Sequence, residues 1–394
     1  MKILMVISQF HPLIGGAEKQ ANLLAKKLVE KEVCVDLITG WWKFGTSRKE
    51  MIDGIRIFRN FCFWGMFGMK NHRMIRMFAG LIYVMSLAIY LLIHGREYDI
   101  IHVHQFLYPA FVSVLIGKKV LKKPVLVKSA SSGVTSDIGR LRQLPLGCFQ
   151  LGFLLKELED LVAISKATGK DFKEIGYSES RISYIPNGVE VPVIGKNTYD
   201  QVTQVVTITR LSQEKGLDVL LKAWADVVRE EKSLKVLIVG SGSLESGLKT
   251  LSRSLGILES VHFVGEVQNV SKYLRESHLF ILPSRSEGLS NALLEAMSYG
   301  IPCIATNVGG NIEPLGGEEG EIPKGEYVIA RNGLLINPDD VKGLTEAVLF
   351  FIRNQNEREE MGKRGRIHVK ENYSIDLVAD RYIALYQRLL EGRS

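Results

Sequence analysis

The sequence predicts an α/β protein built from two doubly wound domains in tandem, facing a cleft between them. Three observations carry this. At 394 residues the chain is longer than one hydrophobic core comfortably serves. Short apolar runs alternate with helical patterns, the order that parallel strands and crossover helices leave in a sequence. The alternation then stops and restarts around the loop NGVEVPVIGKNTYDQ, residues 187–201.

In the first half the strand candidates are KILMVIS, VCVDLIT, YDIIHVH, KPVLVKS and DLVAIS, with a helix expected over roughly residues 17–30. In the second half they are QVVTITRL, KVLIVGSGS, VHFVGEV, HLFILPS, PCIAT and GLLINP. A helix follows the first of these at roughly 217–229. Another is expected over 291–299, where Ser290 can cap the start and Gly300 and Pro302 end the pattern. In such sheets a ligand binds at the carboxyl ends of the strands.

Residues 77–93, MFAGLIYVMSLAIYLLI, form an uncharged run behind KNHRMIR and the aromatic cluster FCFWGMFGM. A span needs roughly twenty apolar residues, and this run leads straight into YDIIHVH, which must rejoin a sheet. A buried crossover helix is the plain expectation. The competing one is a helix lying at a membrane surface, where Lys70, Arg73 and Arg76 would suit anionic headgroups.

Hydrophobic residues make up 46% and charged ones 24%, which is a folded protein without a sizeable disordered tract. Cys34, Cys62, Cys148 and Cys303 are widely spaced, which argues against a zinc knuckle or a disulfide framework and for a reducing compartment. MKILMVIS passes directly into a glycine-containing loop, so no secretory signal is read and a cytoplasmic location is expected. The formal charge of +7 is uneven: 26 Lys/Arg face 16 Asp/Glu through Glu190, against 24 and 27 afterwards. A basic first half suits an anionic leaflet or a phosphorylated substrate. Without an aromatic-interleaved basic motif, nucleic acid is not expected.

The chemistry-bearing stretches follow strands. Gly15 and Gly16, in SQFHPLIGGAEKQ, would let backbone N–H groups approach an anion at a helix start, or simply make a tight turn. Their spacing is not the dinucleotide fingerprint, which weighs against a nicotinamide oxidoreductase. Arg210 and Lys215, in TRLSQEKG, offer a fork and a point charge to a departing diphosphate. Gly240 and Gly242 could admit a nucleotide or make a βα turn, and VHFVGEV carries the same ambiguity. In SRSEGLSNALLEAMSYGIPCIAT the helix after Ser290 has so little polar surface that Glu295 is expected to be buried and to need a partner, such as ribose hydroxyls. Glu287 precedes that helix, and the N–H groups of Leu289, Ser290 and Asn291 would meet phosphate. His102 and His104 share a strand face; His102 reads as a core histidine and His104 as the one that touches substrate. A third ligand at metal spacing is missing, so no metal is expected.

Taken in order, GGAE, HVHQ, IPNGVE, RLSQEKG, VGSGS, the two glutamates of SEGLSNALLEAMSYGIPCIAT, NVGGNIE and GLLINP resemble glycosyltransferase family 4 over nearly the whole chain. These are retaining enzymes of GT-B architecture. The resemblance implies two Rossmann-like domains, 1–190 receiving the acceptor and 191–372 the nucleotide sugar, with a terminal helix in 373–394 crossing back to the first. It assigns Arg210 and Lys215 to the diphosphate, Glu295 to the ribose, and Glu287 to the neighbourhood of the donor sugar. His104 would meet the sugar near its reacting carbon, Gly15 and Gly16 would complete the phosphate site, and Val267 would greet the base through its backbone. It implies metal-independent chemistry that keeps the anomeric configuration, and no cofactor beyond a donor such as a UDP- or GDP-sugar. KSASSGVTSDIGR departs from the family's His-containing turn. With the apolar 77–93 segment, this hints at a lipid-linked or glycan acceptor handled at the inner face of a membrane. Two other functions use the same residues, a nucleotide-sugar epimerase of the same fold and a non-catalytic nucleotide-sugar-binding protein.

Overall fold

The computed structural model describes the chain apart from residues 13–14, 44, 63–72, 134–135, 194–201, 319 and 393–394, and apart from the side chains at 73–77. Most of the FCFWGMFGM cluster, Lys70 and part of the 190–200 junction therefore lie outside the described residues, as do the Arg73 and Arg76 side chains. The chain divides into two units. One comprises residues 1–188 with 375–394, the other residues 189–374.

The first unit holds an eight-stranded sheet. Its strands are β1 (Lys2–Ile7), β2 (Cys34–Gly40), β3 (Lys49–Ile52), β4 (Ile55–Asn60), β5 (Ile100–His104), β6 (Val125–Ser129), β7 (Asp160–Ala163) and β8 (Ile182–Tyr184). The order β3-β4-β2-β1-β5-β6-β7-β8 is parallel except for β3 against β4. β1, β5 and β6 are buried almost end to end, as parallel strands covered on both faces must be. One face carries Ile3, Met5, Leu126 and Val162 against the helices Gly16–Glu30 and Ile375–Glu391; Tyr382 and Tyr386 come from the latter. The other face carries Leu4, Val6, Ile101 and Val103 under a separate helical layer.

The second unit holds β9 (Gln204–Ile208), β10 (Lys235–Val239), β11 (Val261–Gly265), β12 (Leu279–Leu282), β13 (Cys303–Thr306), β14 (Tyr327–Ala330) and β15 (Gly333–Ile336). The order β11-β10-β9-β12-β13-β15-β14 is parallel except for β14. Helix Leu217–Glu230 shows why such helices dock: Leu217, Leu220, Leu221, Trp224 and Val227 recur at helical spacing and are all buried. It packs on helix Val341–Arg353 over one shared core.

The apolar segment 77–93 lies in helix Arg73–His94. It is a crossover helix, but buried on one face only. Ala79, Tyr83, Leu87 and Leu91 face the core, and the Tyr83 hydroxyl donates to the Ile7 carbonyl at 3.2 Å. The helix is long and apolar enough to cross a membrane by length and composition, yet this face is committed to the sheet.

Candidate active site

In an open parallel sheet, loops part to opposite sides where the strand order reverses, and the crevice left at the strands' carboxyl ends holds ligands. In the second unit the reversal falls between β9, which leads on to β10 and β11, and β12, which leads on to β13. The exit of β9 carries Arg210 and Lys215; the exit of β12 carries Glu287, Leu289, Ser290 and, one turn on, Glu295.

Backbone packing brings these loops together. Gly216 has φ +63°, and a Cβ there would sit 2.0 Å from the Pro283 carbonyl oxygen, so only glycine lets the β9 loop approach the β12 loop this closely. Lys215 is thereby placed against Glu287, with Nζ donating to Oε1 at 2.7 Å. The Ser284 hydroxyl donates to the same oxygen at 2.8 Å. The two charged side chains are only 14% and 10% exposed. Arg210 is different: its side chain is 71% exposed and, among the described residues, pairs with Glu214 alone, at 3.5 Å. A held ammonium and a guanidinium free to swing thus share one crevice.

Arg285 was invisible in the sequence as a site residue, because nothing in SRSEG distinguishes it from a solvated loop cation. It staples the site. Its guanidinium donates to Asp339 at 2.7 Å, Asp218 at 2.8 Å and the Gln213 carbonyl at 2.5 Å, while its backbone N–H donates to the Glu214 carbonyl. Hydrogen bonds to Asp218 and Asp339 push its pKa further up. Arg285→Met should free the 213–216 turn, lower the urea midpoint by an amount worth about 1–2 kcal/mol, and lower turnover with it. Full activity at unchanged stability would show that the turn holds itself.

Gly240 and Gly242 sit on the exit of β10. A Cβ at Gly240 would fall 1.9 Å from the Thr209 carbonyl oxygen, and one at Gly242 would fall 2.3 Å from that of Leu211. The Leu211 N–H donates to the Ser241 carbonyl at 3.0 Å. These glycines serve the packing of one loop on the other, which fixes the backbone on both sides of Arg210. Val267 lies past β11, partly exposed.

Helix Asn291–Ser298 corrects one expectation. Ser290 caps it, accepting from the Leu293 N–H at 3.3 Å, but Glu295 is only partly buried. Leu293, Leu294, Ala296, Met297 and Ser298 are buried, whereas Asn291, Ala292 and Glu295 share an accessible edge at helical spacing. Alanine and leucine content reported a buried helix but not which edge lacked cover.

In the first unit the reversal falls between β1 and β5, whose exits carry Gly15, Gly16 and His104. Ile7 and His104 are register partners. The Gly15 N–H already donates to the Glu18 carboxylate at 2.9 Å, so the helix start is capped by its own acid. His102 and His104 lie ring against ring, centroids 4.2 Å apart, both buried. His102 Nδ1 pairs with the Tyr386 hydroxyl at 2.7 Å, and Nε2 of both rings is buried without a hydrogen-bond partner among the described residues. Beside them Lys128, the register partner of His104, is buried as well. Burial and then the Lys128 charge bring His102 down to about 3. Burial, His102 and Lys128 hold His104 well below its ordinary range, so both rings are neutral at pH 7. Asp137 gathers the departing loop after β6, accepting from the Ser131 hydroxyl at 2.8 Å, the Ala130 N–H at 2.9 Å and the Ser129 hydroxyl at 3.1 Å. Among the described residues no group of three or more His, Cys, Asp or Glu could hold a metal ion.

Two family descriptions match the chain, "Glycosyltransferase Family 4" over residues 14–191 and "Glycosyl transferases group 1" over residues 195–368. The chain belongs to glycosyltransferase family 4. The chain is 28% identical over 178 residues to an uncharacterized glycosyltransferase of Haemophilus influenzae, covering 45% of the chain and 47% of that relative. It is 29% identical over 253 residues to a GDP-mannose-dependent monoacylated alpha-(1-6)-phosphatidylinositol monomannoside mannosyltransferase of Corynebacterium glutamicum, covering 59% of the chain and 62% of the relative. The chain thus spans between about half and three-fifths of those two curated relatives. HepE of Anabaena, solved with UDP-glucose, superposes with a TM-score of 0.72 at 17% identity, covering all of the chain and 99% of that structure. The two sheets of this family 4 chain are accordingly the two Rossmann-like domains of a GT-B fold.

Proposed function

We propose that this glycosyltransferase moves a sugar from a nucleotide diphosphate sugar, of the UDP or GDP kind, to a hydroxyl of a glycan or lipid-linked acceptor. The reaction keeps the anomeric configuration, needs no metal, and serves cell-surface polysaccharide or glycolipid assembly in the cytoplasm, at the inner face of the membrane. One observation carries the donor half: at the strand reversal of the second unit, the Lys215–Glu287 pair, exposed Arg210 and the capped start of helix Asn291–Ser298 converge. The UDP-glucose complex of HepE and the glycolipid substrate in the name of the Corynebacterium relative support the same reading.

The chemistry follows from what develops as the glycosidic bond breaks. Negative charge grows on the leaving diphosphate and positive charge on the sugar ring. A fixed ammonium at Lys215 stabilises the first without reorganising, because Glu287 already holds it in place. Arg210, exposed and held only by a long contact to Glu214 among the described residues, closes a fork on the same phosphates. Glu295, on the accessible edge of its helix, accepts from ribose hydroxyls, and Val267 meets the base through its backbone. Neutral His104, with a buried nitrogen lacking a partner among the described residues, offers the transferred sugar a hydrogen bond. The acceptor belongs to the first unit.

The test is a thermal-shift screen of UDP, GDP and their sugars, since a ligand of the folded state raises its apparent stability. Glu295→Ala should weaken the responding nucleotide roughly 10- to 100-fold, as lost hydrogen bonds to a charged group would. The responding donor is then incubated with and without acceptor hydroxyls. Acceptor-dependent nucleotide release supports transfer. Isomerised donor in the absence of acceptor would instead make the protein an epimerase, and no turnover with any donor a binding protein.

A further inference from the structure

Helix Arg73–His94 has two apolar faces and the fold uses one. Opposite Ala79, Tyr83, Leu87 and Leu91 runs a second stripe of Phe78, Leu81, Met85, Ile89, Leu92 and Ile93, each 52–66% exposed. The steps of three and four residues place them on one side, over a length of about 22 Å. Single exposed leucines are ordinary, but six in a row are not. The same helical layer continues the surface: the helix packs on Tyr108–Ser113, which packs on Gly147–Glu157, where Leu146 and Phe149 stand 75% and 65% exposed.

Charge says what covers it. From Gly54 to Lys156 the chain carries fourteen Lys/Arg and three Asp/Glu. Those three acids are engaged: Glu97 with His94 and Lys2, Asp99 with the Lys2 N–H, Asp137 with the loop after β6. Lys118 and Lys119 are offset by Glu157 and Glu159. Arg96, at the end of the apolar helix, and Arg140 and Arg142, on the turn into Leu146, are exposed and make no ion pair among the described residues. An apolar stripe beside unpaired arginines, with the exposed carboxylates of Glu97 and Glu159 already held by Lys2, His94 and Lys118, complements a lipid surface better than it does a second copy, whose facing stripe would bring equal positive charge.

We propose that this face seats on a bilayer with anionic headgroups, the stripe entering the headgroup and acyl boundary and Arg96, Arg140 and Arg142 meeting lipid phosphates. The helix lies along the surface and does not span, because Tyr83, Leu87 and Leu91 stay in the core. This deepens the reading of a lipid-linked acceptor, since a docked first unit meets such an acceptor where it resides, but vesicle capture and donor binding are measured separately.

The full chain is floated with vesicles of phosphatidylglycerol and, in parallel, of phosphatidylcholine alone. Capture by the anionic vesicles, at least tenfold weaker with the neutral ones, is expected. Leu81→Gln/Met85→Gln/Ile89→Gln should lose capture at least tenfold, and Arg140→Glu/Arg142→Glu should lose it at low salt, while both keep the nucleotide-induced thermal shift of the parent. That retained shift shows that the second unit is folded, and circular dichroism of the variants checks the first. Equal capture by both lipids, or undiminished capture of the triple glutamine variant, would overturn the proposal. So would a concentration-dependent dimer that the same variant abolishes while vesicles capture nothing.

Discussion

Lys215→Met is expected to lower kcat roughly 10²- to 10³-fold, the usual loss when a preorganised electrostatic contact to developing charge is removed. It should also cost stability. Glu287 is a tenth exposed, and removing one member of a largely buried pair costs about 3–5 kcal/mol, of which the hydrogen bond retained from Ser284 offsets a part. The two effects separate in the double variant Lys215→Met/Glu287→Gln, which should regain most of the urea midpoint but none of the turnover. Arg210→Ala gives the complementary result: at 71% exposure it should leave stability within about 0.5 kcal/mol while reducing turnover by more than it weakens donor binding. If the double variant recovered activity along with stability, Lys215 would be a structural cation and the leaving-group assignment would fail.

The second large effect lies in pH. His102 in the folded chain titrates at about 3, against about 6.5 unfolded. Between those values the unfolded chain holds a proton the folded one refuses, so stability falls as pH drops below 6.5, by about 1.4 kcal/mol per pH unit. His104, lowered for the same reason, adds in the same direction. Lys128 works at the alkaline end. Burial brings it to about 8 from 10.5, so the unfolded chain binds the extra proton between those values and stability rises with pH through that window. Below pH 8 the charged lysine costs the fold about 3 kcal/mol, and Lys128→Met should recover about that much at pH 7 and little at pH 10.5. Urea unfolding at pH 5, 7 and 10.5 measures all three. An identical Lys128→Met gain at both pH 7 and pH 10.5 would show that packing, not charge, accounts for it.

Much of the fold could be read from the alternation of apolar runs, since parallel strands buried on both faces leave almost no polar positions. What escaped was the β3–β4 hairpin, β8 and β14. The β3–β4 hairpin did leave a mark, Asp53–Gly54, both with positive φ as a two-residue hairpin turn requires, but KEMI is too polar to stand out as a strand. β8 has three residues and β14 is exposed at two of four positions, too little for any period to register. At the β9 and β12 exits the sequence singled out Lys215, Glu287 and Ser290, which the structure brings onto neighbouring loops, and in the other unit it singled out His104 at the end of β5. Glu295 was located on the right helix but given the wrong burial. Arg285 and Lys128 were missed, because their roles depend on which neighbours surround them: two aspartates and a carbonyl in one case, two histidines and a tyrosine ring in the other.

The return of the last helix to the first unit sets how the polypeptide can be divided. Residues 189–374 are one uninterrupted piece, whereas the other unit is assembled from both ends of the chain. Expressed by itself, the continuous piece should be soluble and take up nucleotide. Residues 1–188 should not persist alone, because they would lack the tyrosines that roof β5 and β6 until a separately supplied 375–394 peptide restored them.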